Sequence, residues 1–131
     1  MKHSLQILLA FIMVSWAFAQ EQTKATLPAS DQTAVERLKG SPRHGEWVDV
    51  PMPGSDVKIK TWVVYPERKD KAGVVLVIHE IFGMTDWVRS VADQLAAEGF
   101  IAVAPDFLSG MGPNGGDTES LGNQVGQTIR N

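Results

Sequence analysis

What this chain lacks narrows its chemistry before any motif is considered. It contains no cysteine, so it forms no disulfide, offers no thiolate to a metal and holds no cysteine nucleophile within its 131 residues. It has only three histidines, and one of them sits at position 3, which leaves His44 and His79 for any imidazole chemistry. Neither sign of charge dominates. A net charge of -3 gives no electrostatic basis for binding nucleic acid or an anionic membrane, and it is too small to call for a basic partner. There is no internal repeat and no low-complexity stretch. What is present, 44% hydrophobic and 21% charged residues, matches one small globular domain or part of a larger one.

The one extended apolar run lies at the N terminus. Lys2 and His3 precede Leu5 to Val14, and Ala17-Phe18-Ala19 then places small residues where signal peptidase reads them. This is the pattern of a secretory signal peptide over residues 1–19, with cleavage before Gln20. The run is shorter than the roughly 20 residues that a bilayer-spanning helix needs. The expected location is therefore secreted or periplasmic, with no membrane attachment after cleavage. The processed chain keeps eleven basic against fifteen acidic residues, because only Lys2 is lost.

Residues 20–45 read as an N-terminal arm. Ser30 is placed to cap a short helix through Lys39, with Gly40 at its C′ end, and a mobile arm is the other reading of the same residues. The pattern changes near Glu46. Trp47, Val48 and Val50 form a short strand, and Pro51-Met52-Pro53-Gly54-Ser55 breaks it. Val57, Ile59, Thr61, Val63 and Tyr65 then alternate along a second strand, which predicts an antiparallel pair at a sheet edge. Gly73 to Ile78 shows no alternation, as expected for a strand covered on both faces of a largely parallel sheet. A helix follows, capped by Thr85 or Asp86. Val88, Val91, Ala92 and Leu95 form its apolar stripe, Gly99 ends it, and Asp86, Arg89 and Asp93 lie on a solvated face. Phe100 to Ala104 is a further strand, closed by Pro105-Asp106. A loop runs to Gly116, and Asp117 begins another helix. Strand, strand, strand, helix, strand is the opening of a doubly wound α/β sheet, here the incomplete front part of a domain over 46–131.

Several motif-like stretches fail on context. His79-Glu80 would belong to a zinc protease only within His-Glu-x-x-His on a helix. The fifth position is Gly83, so no metal is expected. Gly110-Met111-Gly112-Pro113-Asn114-Gly115 matches G-x-G-x-x-G literally, but it follows a later strand and contains a proline. It reads as an irregular loop, and no cofactor is expected. Ser109 lacks the flanking glycines of a nucleophile elbow. The end of the apolar strand is different. Ligands of open α/β sheets bind beyond the carboxyl ends of the strands, where Glu80, Ile81 and Phe82 fall before a turn at Gly83. A backbone N–H in that loop serves as half of an oxyanion hole in α/β-hydrolases. The plainer alternative is that Glu80 caps the following helix or pairs with a lysine.

The segment "VVLVIHEIFGMTDWVRSVADQLAAEGFIAVAPDFLSGMGPNGG" at 74–116 resembles the dienelactone hydrolases (carboxymethylenebutenolidases) of the α/β-hydrolase fold. The resemblance rests on the H-E-I-F-G segment, the helix after it and the A-x-A-P-D strand end. "SPRHGEWVDVP" at 41–51 is similar to secreted members. It implies cleavage of a small ester or lactone by a Cys-His-Asp triad, with no cofactor. It also implies that Glu80 contacts the cysteine and influences its ionisation, that the Ile81 N–H serves the oxyanion hole, and that Phe82 lines the substrate cleft. His79 belongs to the supporting structure. The triad positions of the family lie beyond this chain, and neither His44 nor His79 stands in the family's histidine position. Phe107-Leu108-Ser109-Gly110 occupies the place where some members carry a substrate-binding arginine. The chain alone is therefore expected to be inactive. The alternative is a secreted, non-catalytic binding module that keeps half of the fold.

Overall fold

A computed structural model describes residues 28–130. The signal segment expected over 1–19 and the first part of the arm lie outside the described residues. Four strands form one mixed sheet in the order β1-β2-β4-β3: β1 (Gly45–Pro51), β2 (Lys58–Val64), β3 (Val74–Leu76) and β4 (Ile101–Pro105). β1 and β2 are antiparallel, joined through a Pro/Gly turn in which the Met52 N–H donates to Val57 O at 3.2 Å and Gly54 takes φ +78°. β2 runs antiparallel to β4, with Thr61 opposite Pro105. β3 and β4 are parallel, with Val74 opposite Ile101, and the helix α2 (Asp86–Ala97) crosses between them. The fold is α/β, with an antiparallel pair at one edge.

α2 lies where periodicity places it. Thr85 Oγ1 accepts the Val88 N–H at 3.3 Å, and Glu98 and Gly99 end the helix. Val88, Ala92 and Ala96 are buried against Val64, Ala102 and Ala104 of the sheet, with Met84, Trp62, Val77 and Leu95 around them. Alanines on both layers let the helix axis approach the sheet closely, and the larger, mostly half-buried side chains pack at the margins. A short helix, α1 (Ala34–Lys39), precedes the sheet and packs on α2. Ser30 does not cap it. Ser30 and Thr33 instead close the preceding turn, where the Ser30 N–H donates to Thr33 Oγ1 at 2.9 Å. Gly40 ends α1 with φ -87°, so no left-handed cap is formed there.

Two expectations are corrected. Asp93 is not on a solvated face. It is buried, accepts Ser41 Oγ–H at 2.5 Å, and forms a two-pronged ion pair with Arg43 Nε–H at 3.0 Å and Nη2–H at 2.6 Å. That pair staples the segment before β1 to the side of α2, a long-range contact that helical spacing does not reveal. β3 is not covered on both faces. It is the outer strand, and Val74, Leu76 and Ile78 are 65%, 58% and 68% exposed. Its apolar composition suits an interior position, but among the described residues nothing packs on that face.

The C-terminal part adds small elements. Pro113–Gly115 forms a 3-10 turn within the glycine-rich loop, and α3 (Thr118–Leu121) and α4 (Val125–Thr128) follow. Asp117 caps α3, its Oδ1 accepting the Ser120 N–H at 3.2 Å. Leu108, Leu121 and Val125 make a second, smaller apolar cluster.

Candidate active site

The carboxyl ends of β3 and β4 lie side by side, and both chains leave the sheet there into turns. From β3 come His79, Glu80, Ile81, Phe82 and Gly83. From β4 come Asp106, Phe107, Leu108 and Ser109. β2 is antiparallel, so its first residues also reach this edge, and the Asp106 N–H donates to Lys60 O at 2.8 Å. His44 lies at the opposite edge, beside the pairing of Gly45 with Val64, stacked on Tyr65 with ring centroids 5.6 Å apart.

The turn after β3 is closed by its own atoms. Glu80 O accepts the Gly83 N–H at 3.1 Å, and Glu80 Oε2 accepts the Phe82 N–H at 3.0 Å. The Glu80 carboxylate is exposed and forms no ion pair with a lysine among the described residues. It occupies the wall of an apolar cleft of about 530 Å3 together with Phe82, Asp31, Thr85 and Trp87. Phe82 is 62% exposed at that wall. The Ile81 N–H has no acceptor among the described residues, and the Ile81 side chain is not on the cleft wall. The three candidate residues thus form one turn that presents a free N–H, a carboxylate and an aromatic ring.

His79 is fixed from both sides. Its Nε2 accepts the Phe107 N–H at 3.1 Å, so that nitrogen bears no proton, and Nδ1–H donates to Glu80 O at 2.9 Å. The ring is therefore the neutral Nδ1–H tautomer, with its side chain only 7% exposed.

Asp106 is the residue that sequence patterning passed over. It is 2% exposed, yet three donors satisfy its carboxylate. Oδ1 takes the Leu108 N–H at 3.0 Å and the Thr118 hydroxyl at 2.7 Å, and Oδ2 takes the Thr118 N–H at 2.9 Å. Thr118 Oγ1 in turn accepts the Met84 N–H at 3.0 Å, so the far end of the Glu80 turn hangs on this node. Gly83, at φ +76°, sits directly against Thr118, and a Cβ there would fall 2.7 Å from Thr118 Cγ2. The available signal was an aspartate immediately after the proline that ends β4, at the ligand-binding edge of the sheet. Ser109 is buried with its hydroxyl engaged, donating to Asp106 O at 2.7 Å and accepting the Lys60 N–H at 3.0 Å. It is structural.

Lys60 supplies the positive charge at this edge. Its Nζ lies 2.6 Å from Asp117 Oδ2 and 3.7 Å from Glu119 Oε2, and 4.8 Å above the Trp47 ring. The hydrogen bond to Asp117 leads in raising the Lys60 pKa above the usual lysine value, against the opposing effect of burial. At Asp117, burial pushes the carboxyl up, but the Lys60 hydrogen bond and the Ser120 N–H outweigh it and leave it below the usual range. No group of three or more His, Asp or Glu side chains that could hold a metal ion occurs among the described residues.

Comparison with known proteins identifies the family. The model of the "Dienelactone hydrolase family" matches residues 59–129, which include β2 from its second residue on, the His79–Gly83 turn and Asp106. The chain belongs to the dienelactone hydrolase family. Among curated relatives of this dienelactone hydrolase homologue, the hydrolase fragment YghX of Escherichia coli is 31% identical over 64% of this chain and 72% of its own length. A protein named a carboxymethylenebutenolidase from Synechocystis is 33% identical over 49% of this chain. Another of that name from Saccharolobus solfataricus is 42% identical over 40% of it. The chain spans only 26% and 20% of those two relatives. A dienelactone hydrolase crystal structure from Klebsiella pneumoniae aligns over 50% of this chain and 27% of its own, at 27% identity and a TM-score of 0.46.

Proposed function

We propose that this chain provides the oxyanion side of a hydrolase that cleaves a small ester or lactone through a Cys-His-Asp triad. The observation that supports this reading is the unpaired Ile81 N–H, held at the carboxyl edge of the sheet in a turn that also presents Glu80 and Phe82. In acyl transfer, a thiolate attacks the carbonyl carbon, and the carbonyl oxygen gains negative charge that an N–H without another acceptor stabilises. Glu80 stands beside the attacking sulfur and influences its ionisation. Phe82 lines the cleft that receives the acyl group. The nucleophile comes from sequence outside these 131 residues, since they contain no cysteine. Export accompanies this role, with residues 1–19 as the signal peptide, and the exported protein begins at Gln20.

Two measurements test the proposal. Hydrolysis of p-nitrophenyl acetate by this polypeptide should be no faster than by its Glu80→Ala variant, and turnover well above that control refutes an external nucleophile. The reading frame beyond codon 131 should encode G-x-C-x-G about 30–40 residues on, after one further strand in the pattern of nucleophile elbows. A stop codon at 132, together with soluble monomeric protein, overturns the hydrolase reading.

A further inference from the structure

We propose that His79 is a positioning residue that fixes the direction of the Ile81 N–H. The inference rests on the proposed role of that N–H, and it assigns a task to a side chain that touches no reacting atom. The Ile81 N–H and the Glu80 carbonyl belong to one planar peptide unit, in which trans geometry points them in opposite directions. Whatever holds the carbonyl therefore aims the N–H. Two donors hold it: His79 Nδ1–H at 2.9 Å and the Gly83 N–H at 3.1 Å. The Gly83 bond alone moves with the turn, because Gly83 belongs to it. His79 refers the peptide to the body of the protein. Its ring is tied to β4's exit through the Phe107 N–H on Nε2 and packs against Phe107 with ring centroids 5.6 Å apart. Rotating the Glu80–Ile81 peptide would break both bonds to the carbonyl and leave the Nδ1–H of a nearly buried ring without its acceptor. The N–H is thus oriented before any substrate arrives, which is what an oxyanion donor requires.

Among the described residues, the carboxylate within ion-pair range of the ring is that of Asp106, whose Oδ1 lies 3.8 Å from Nε2. Its lone pairs already serve Leu108 and Thr118. Asp106 therefore backs the ring without competing for the Phe107 N–H, and the tautomer stays with its proton on Nδ1.

The two amide replacements of histidine separate the two bonds. In His79→Asn, the side-chain NH2 stands about where Nδ1–H does, so the carbonyl keeps its donor. In His79→Gln, the amide oxygen takes the place of Nε2 and that donor is lost. Nuclear magnetic resonance of the labelled chain reads the outcome at Ile81 and Gly83, with Ala92 and Ala102 as core controls. Expected are a displaced, exchange-broadened Ile81 cross-peak in His79→Gln and His79→Ala, and Gly83 amide exchange faster by about tenfold, the equivalent of one lost hydrogen bond. In His79→Asn the donor to the carbonyl is kept but its tie to Phe107 is lost, so both signals should move, by less than in His79→Gln. Unmoved Ile81 and Gly83 signals in His79→Gln, with the controls intact, overturn the proposal. Should the variants not fold, the ring nitrogens of the unaltered protein decide. A protonated Nδ1 and bare Nε2 support the assignment, and the reverse tautomer refutes it. These signals do not depend on turnover, so they can fail while the hydrolase reading stands, or hold while it fails.

Discussion

Replacing Gly83 by alanine should be far more damaging than the same change at Gly54, although the two glycines share almost one backbone conformation. Their φ angles are +76° and +78°. In each, a Cβ pays the left-handed penalty of about 1–2 kcal/mol, partly offset by the lower entropy of the unfolded alanine chain, about 0.4–1 kcal/mol. Those contributions cancel when the two variants are compared. The surroundings do not cancel. Nothing lies within 4 Å of a Cβ on Gly54, whereas at Gly83 it would overlap Thr118 Oγ1, lie 2.7 Å from Thr118 Cγ2 and 3.1 Å from Leu108 Cδ1. Thr118 cannot rotate away cheaply, because its hydroxyl bridges Asp106 and the Met84 N–H in a buried site. Overpacking of this kind costs about 1–3 kcal/mol, and a lost hydrogen bond to Asp106 adds about 1.5–3 kcal/mol if the hydroxyl is displaced. Urea unfolding followed by tryptophan fluorescence should therefore show Gly83→Ala less stable than Gly54→Ala by about 1–3 kcal/mol from overpacking alone, and by up to about 6 kcal/mol if the hydrogen bond is also lost. Equal losses in the two variants would refute the claim that the turn is packed against Thr118.

Three further outcomes follow from the same contacts. Asp93→Ala leaves the Arg43 guanidinium, only 16% exposed, with Glu67 at 3.8 Å as its remaining ion-pair partner, and should cost about 2–4 kcal/mol, with a double-mutant cycle against Arg43→Ala giving a clear coupling. Leu76→Lys and Ile78→Glu should change stability by less than about 0.5 kcal/mol and raise soluble yield, because these exposed side chains project from the outer strand and the residues just after it. A loss of core magnitude in urea unfolding would show that the face is covered. The Lys60–Asp117 pair makes stability depend on pH at both ends. The native Asp117 carboxyl is depressed, so its contribution is complete above the ordinary carboxylate range near about 4 and disappears as pH falls through the lower native value. The Lys60 ammonium is raised, so its share is present below about pH 10 and is lost as pH rises through the native value above it. Lys60→Met should flatten both limbs of the pH–stability curve relative to the unaltered chain.

The elements were legible where a local period decides them. The stripe Val88, Val91, Ala92, Leu95 gave α2, and alternation from Val57 to Tyr65 gave β2, because helical and extended repeats are local properties of the chain. The site turn was legible as a place, since a strand end followed by glycine marks where the chain leaves the sheet. Its internal wiring was not. The bonds from Thr118 to Asp106 and from Met84 to Thr118 join residues 12 and 34 positions apart, and no local period encodes them. Asp93 was misplaced for the same reason. On the helix it falls among polar neighbours, and only the arrival of Arg43 from 50 positions away makes that side an interior. The apolar run of β3 reported an interior strand correctly as composition but not as position, because its place in the sheet is set by pairing and not by hydropathy.

The Thr118 node also sets an order of events. A ribosome delivers Glu80 to Met84 well before Thr118, so the turn emerges without the hydroxyl that will hold its far end. Until α3 swings back over β4, Asp106 has no threonine to bind and must keep its charge in water. The pairing of β2 with β4 spans up to 44 positions, more than the 34 between Met84 and Thr118, but both of its strands emerge before Thr118 does. The stretch that faces the cleft is thus among the last to acquire its shape during synthesis, and it does so in the same step that seals a carboxylate inside.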